Sequence, residues 1–188
     1  MHGFYLSSGA GTALAAGNQE SLRNASLDGY YTNTAKVDTN TTILIGSSGG
    51  FDCAALWIFP ISGIPQGSTI VKAVMRLRRA AGTQTAISVV WVGYDVDDAT
   101  ALAANEAAFA ALARTTATVT QDIAAGEAGS IIDSPAITTV IQEITDRLGF
   151  GGGIGIIADK GAPDWGLATF AAVEHASLSE AILIVQYT

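Results

Sequence analysis

The sequence predicts a mainly β fold, a jelly-roll-type β-sandwich with two short crossover helices and an N-terminal arm. Three observations lead there. Short apolar and β-branched runs recur along the chain, separated by glycine-rich turns. Only two segments carry helical spacing. And residues 56–78, LWIFPISGIPQGSTIVKAVMRLR, read as strand, tight corner, strand. In that corner Pro65 fixes its own φ and Gly67 tolerates a positive one. With 188 residues, one domain with a sizeable core is expected. The predicted division is an arm over residues 1–35 and a sandwich domain over residues 36–188.

Residues 1–20 hold small side chains without a steady period and read as an extended arm, ordered only where something holds it. Residues 24–33, with Asp28-Gly29 and two tyrosines, read as a turn leading into a strand. Residues 41–45 are a short β-branched run that glycines and serines at 46–50 break. In residues 71–78 the period of two puts Val71, Ala73, Met75 and Leu77 on one face and Lys72, Arg76 and Arg78 on the other. Arg79 reads with them as the polar end of that strand. Residues 86–92 bring Ile87, Val89 and Trp91 together, residues 115–119 are β-branched, and residues 154–157 and 181–187 are apolar on both faces, as covered strands are. The passage from 56 to 78 reads as hairpin-like.

Residues 99–114 read as a helix that Asp97 and Asp98 can cap. Residues 135–148 make a stronger helix. Ile137, Val140, Ile141, Ile144 and Leu148 form one stripe, with Ser134 as N-cap, Pro135 in the first turn and Gly149 as C′. Both helices are expected to cap the ends of the sandwich.

Charged residues make up 14% of the chain, against roughly 25% in a typical soluble domain. Much weakly polar surface is therefore left, which contact with copies or a partner would cover. The net charge of −8 and the lack of any basic cluster beyond Arg76, Arg78 and Arg79 argue against nucleic-acid binding. Cys53 is the only cysteine, so neither an intrachain disulfide nor a cysteine-pair zinc site is predicted. The first twenty residues lack the basic and apolar regions of a signal peptide. No segment reaches the roughly 18 apolar residues of a membrane span. A cytoplasmic origin is expected, in which the Asn-x-Ser/Thr triplets at Asn24 and Asn40 have no role.

Asp95, Asp97 and Asp98 form an acidic cluster, open to calcium by composition. Helix capping accounts for two of them, and the EF-hand pattern is missing. Asp159 and Asp164 flank a turn beside Trp165 and could pair for acid–base chemistry; a solvated loop is the simpler reading. His2 and His175 are the only histidines. Glu174-His175 reads as a surface turn, and no Gly-x-Ser-x-Gly accompanies it. Cys53 reads as a small buried hydrophobe. Residues 153–158 echo a dinucleotide fingerprint, but they are strand-like and no helix follows. Trp57, Trp91, Trp165, Tyr30 and Tyr31 could form a sugar-stacking platform; Trp57 and Trp91 read as core and Trp165 as exposed. No catalytic, cofactor-binding or metal-binding residue is assigned, and no cofactor is expected.

From about Asp52 onward the chain resembles the carbohydrate-binding-module-like β-sandwich family called DNRLRE. The resemblance rests on the loop 62–70 followed by a strand ending in Leu77-Arg78. Asp97-Asp98-Ala99, Arg114-Thr115-Thr116-Ala117, Ser134-Pro135, residues 140–144, glycines 151–153 and the closing strand 182–187 extend it. They resemble a variant found in phage virion and bacterial surface proteins. Gln121 and Phe150 stand where tryptophans are expected.

The resemblance implies a non-enzymatic bacteriophage virion protein. The expected role is capsid decoration (cement), by a chain made in the host cytoplasm and placed on the capsid surface. The implied partners are the major capsid protein and copies of the chain, as a homotrimer; no nucleic acid and no membrane are involved. The alternative is a carbohydrate-binding module or adhesin of a tail fibre or cell surface, with a glycan as ligand. A hydrolase built around Asp159 and Asp164 is a third.

Overall fold

A computed structural model describes residues 19–48, 50–61, 63–81, 85–161 and 166–188. They form a β-sandwich of two antiparallel sheets with two helices. In chain order the strands are β1 (Gln19–Asn24), β2 (Leu27–Tyr31), β3 (Lys36–Val37), β4 (Thr42–Ser48), β5 (Phe51–Pro60), β6 (Ile70–Arg78) and β7 (Ile87–Tyr94). After helix α1 (Glu106–Ala110) come β8 (Arg114–Ile123) and β9 (Ile131–Asp133). Helix α2 (Thr138–Thr145), β10 (Gly153–Lys160), β11 (Gly166–Ala171) and β12 (Ile182–Tyr187) complete the chain. One sheet has four strands in the order β1-β12-β6-β9. The other has eight, ordered β11-β4-β5-β10-β7-β8, with β2 paired to β5 and β3 to β2.

The core lies between the sheets. Ala73, Met75 and Leu77 of β6 and Leu183 and Val185 of β12 face Trp57, Phe59, Val89, Trp91 and Ile156, all buried. The two indoles lie 6.2 Å apart, tilted at 35°. At about 1.5–3 kcal/mol per buried large side chain, this layer dominates the folding free energy. The strands β5 and β10 are apolar on both faces because both faces are covered, as predicted for residues 154–157.

Several expectations change. The corner at Pro65 and Gly67 (φ 71°) does not close a hairpin. It carries the chain from β5 in the larger sheet to β6 in the smaller one. Alternation along a strand reports which side is buried, not which strand lies beside it. Val71 is 46% exposed, since the register between β6 and β12 shifts at that end. Glycine does not stop β4, which runs through Gly46 to Ser48. Within the stretch expected as an arm, β1 pairs with β12 and β2 with β5; residues 1–18 lie outside the described residues.

Both helices are shorter than predicted. The segment read as a helix over 99–114 is helical only over Glu106–Ala110. Asn105, not Asp97 or Asp98, caps it by accepting from the Ala108 N–H at 2.9 Å. Alanine-rich composition favours helix, but here Asp98 holds the segment elsewhere: its Oδ1 accepts the Gly153 N–H at 2.7 Å. The segment then runs over the outer face of the eight-stranded sheet, not over an end. Ala99, Ala103 and Phe109 pack there on Leu56, Ile58, Val92 and Ile157.

The second helix ends at Thr145, so Leu148 leaves the stripe and is 95% exposed, while Ile137, Val140, Ile141 and Ile144 are fully buried. Ser134 does not cap it. Its Oγ accepts the Met75 N–H at 2.9 Å, and Asp146, not Gly149, is the C-cap residue. α2 packs against β6, β7 and β8. A Cβ on Gly93 would come within 2.6 Å of Ile144 Cδ1, so glycine there is what lets the helix seat.

Candidate functional site

Asp95, Asp97 and Asp98 come together, but as acceptors already engaged. The Arg147 guanidinium donates to Asp97 Oδ1 at 2.7 Å and to Asp95 Oδ1, and Asp98 is taken by the Gly153 amide. The two carboxylates beside Arg147 raise its pKa further above the ordinary arginine value. Among the described residues, no group of three or more His, Cys, Asp or Glu side chains is placed to hold a metal ion. Sequence reading missed Arg147, which lies some fifty residues from its partners; no local pattern could link them.

Asp159 is paired with Arg114 at 3.0 Å, and that arginine also lies 5.2 Å over the Phe109 ring. Asp164 and Trp165 lie outside the described residues, as does His2. His175 sits in the turn between β11 and β12, as expected, and its Nδ1 accepts the Ser177 and Leu178 amides at 3.3 and 3.1 Å. Cys53 is buried, and burial followed by the nearby Asp52 carboxylate pushes its thiol pKa up. A groove of 490 Å³ runs beside α1 past Asp52, Lys160 and Glu106.

The aromatic residues do not form a described platform. Trp57 and Trp91 are fully buried, as expected, and Tyr30 and Tyr31 are 7% and 2% exposed. Tyr31 stacks on Phe109 at 4.2 Å and donates its hydroxyl to Ala103 O at 3.0 Å. Gln121 ties the sheets together: its Oε1 accepts from the Trp91 indole and its Nε2 donates to Asp133 O, both at 2.9 Å.

Two buried charges stand out. Asp28 on β2 is 3% exposed; its Oδ2 accepts the Val173 N–H at 2.9 Å, while its Oδ1 has no partner. Desolvation, reinforced by Glu174 and Glu180, raises its pKa to about 7 against the opposing Val173 bond. Its cross-strand neighbour Trp57 has an indole Nε1 that is likewise unpartnered. Arg79, expected at a polar strand end, is 1% exposed instead. It donates Nη2 to Ala124 O and leaves Nε and Nη1 unpartnered. Period two already puts residue 79 on the side of Leu77; its charge argued the other way.

The two sheets differ on their outer faces. The segment from Val96 to Leu112 covers the eight-stranded sheet. No described element covers the four-stranded one. There Val74 pairs with Ile184, Arg76 pairs with Ile182 and Asp133, and Arg78 pairs with Ile131. Ile131 is 49% exposed, and Val74, Ile182 and Ile184 are partly exposed. Lys72, Arg76 and Arg78 frame this apolar centre. Arg76 grips Asp133 with two bonds of 2.7 and 2.8 Å.

Among the described residues, no helix is long and apolar enough to cross a membrane. Compared with known proteins, the chain matches no family model and no curated relative.

Proposed function

We propose that this chain is a non-enzymatic structural protein of a bacteriophage virion, a cement protein that binds the capsid exterior as an oligomer and stabilises the shell. The observation that carries the reading is the outer face of the four-stranded sheet, which no described element covers and which is apolar at its centre on a chain with few charges. A sheet face with an apolar centre and no described cover is a surface suited to lasting contact. The resemblance of the segment from Asp52 onward to the DNRLRE-type family adds the jelly-roll topology and the virion setting by analogy. Bound at the junctions of capsid subunits, the protein would stabilise the assembled shell by mass action.

Purified virions of the phage that encodes the chain provide the test. Mass spectrometry is expected to find the chain in stoichiometric amount, and capsids stripped of it to lose heat resistance that returns on adding it back. Absence from the virion protein profile would defeat the reading.

A further inference from the structure

We infer that Asp28 is the catch of a pH-sensitive turn: protonated, it holds the connection from β11 to β12 (residues 172–181) against β2; ionised, it lets that connection open to water. The inference is independent of the virion reading and is tested without any capsid.

The geometry sets this up. Asp28 is 3% exposed, and its Oδ2 accepts the Val173 N–H at 2.9 Å. Its Oδ1 has no partner, and neither has the indole Nε1 of Trp57, its cross-strand neighbour. A buried carboxyl with one hydrogen bond is tolerable as a neutral acid and costly as an anion. The charged groups that act on it have the same sign. Glu174 and Glu180 both belong to the connection that Asp28 holds, and both oppose its ionisation. The neighbouring strands bring no compensating cation among the described residues. Lys36 on β3 is closed on Asp38 at 2.7 Å, Asp52 on β5 is taken by Lys160 at 2.8 Å, and β4 carries no charge. Desolvation, then the two glutamates, hold the Asp28 pKa up at about 7 against the Val173 bond.

The connection is lightly held. Glu174, Ala176, Ser177 and Ser179 are exposed. Its described backbone ties to other elements are the Val173 amide to Asp28, the Ala172 amide to Thr41 O and the Ala25 amide to Ala181 O; Arg78 adds a bond to Ser179 Oγ. Of these only the Asp28 tie changes with protonation. His175 is engaged within the turn, where its Nδ1 accepts the Ser177 and Leu178 amides. Protonating that nitrogen loosens the turn as pH falls, opposite in sign to Asp28. Ser179 and Glu180 also line a hollow with Arg76, Arg78 and Ile131, so opening reshapes one rim of the four-stranded sheet.

Opening returns Asp28 to water, where it ionises at an ordinary 3.8 instead of about 7. A proton leaves on opening, so open molecules are scarcest below about pH 4, increase by up to about tenfold per pH unit, and level off above about pH 7.

Amide hydrogen exchange on the full chain between about pH 5 and pH 8, corrected for intrinsic rates, tests this. Protection of the Val173 amide is expected to fall about tenfold or more from pH 5 to 7 and then level off, while amides of the central strand β10 stay better protected throughout. Asp28→Asn is expected to remove that fall. The double variant Glu174→Gln/Glu180→Gln keeps Asp28 and is expected to make the fall smaller and end it at lower pH, which keeps the test open should Asp28→Asn not fold. Wild-type protection at Val173 that is flat with pH would overturn the inference. So would a fall that persists in folded Asp28→Asn, or Val173 and β10 amides opening with equal free energy, since then the whole chain unfolds and no turn opens.

Discussion

The two outer faces of this sandwich are built from similar residues and treated in opposite ways. On the eight-stranded sheet, Leu56, Ile58, Val92 and Ile157 lie under the segment that carries Ala99, Ala103 and Phe109, and all are buried. On the four-stranded sheet, Val74, Ile182 and Ile184 keep partial exposure and Ile131 is 49% exposed. The covered face shows how this chain shields aliphatic surface from water when it does so within one molecule: a loop, one short helix and a Tyr31–Phe109 stack. No described element gives the other face such a cover, and Lys72, Arg76 and Arg78 lie there with Asp133 and Glu180.

The largest expected effect tests the covered side. Phe109→Ala removes the ring that stacks on Tyr31 and lies under Arg114, and is expected to cost about 3–5 kcal/mol, read as a shift in urea midpoint. Tolerance of the change would mean that the covering segment contributes little and that the two faces do not differ as described.

Next comes the buried charge of β2. The pKa of Asp28 is raised to about 7 in the folded chain from an ordinary 3.8. The folded state therefore holds a proton that the unfolded state releases. The stability linked to it is fully present below about pH 4 and lost as pH climbs through 7. At most about 4 kcal/mol is involved. Asp28→Asn is expected to stabilise the protein at pH 8 and to flatten its pH dependence between 4 and 8; equal gains at both pH values would contradict this.

A smaller effect concerns an edge. β8 is an edge strand of the larger sheet, and Glu143 of α2 guards it by accepting the Thr116 and Ala117 amides at 2.7 and 2.8 Å. Glu143→Ala is expected to cost about 1–2 kcal/mol and to promote aggregation from the freed edge. Chemical denaturation and light scattering would read the two parts separately.

The smallest effect falls on the bare face. Ile184→Ser is expected to cost the monomer about 1 kcal/mol, because the side chain is already partly buried there, while weakening self-association. A large loss of monomer stability would show that the face is already covered within the molecule.

The β content was legible because burial on one side of a strand leaves a period of two, and Ala73, Met75 and Leu77 show it plainly. Strand partners were not legible, because pairing is long-range; hence a corner at Pro65 that links two sheets was read as hairpin-like. β9 spans only Ile131–Asp133, too short to carry any period. The helix over 99–114 was overread because alanine fills a close-packed cover as readily as a helix, and because hydrogen bonds between residues 97–99 and the distant Gly151 and Gly153 hold the start of the segment extended. Among the candidate sites, the core tryptophans and the His175 turn were readable from local composition. The Arg147 clamp and the bare face were not, since each exists only once distant strands and loops have met.

Hydroxyl-radical footprinting of the full chain, dilute and concentrated at low salt, addresses the central claim most directly. Ile131, Ile182 and Ile184 are expected to lose reactivity on concentration while Leu148, 95% exposed and off the bare face, keeps its own. Protection at Leu148 with the bare-face isoleucines unchanged would place the contact elsewhere and contradict the account.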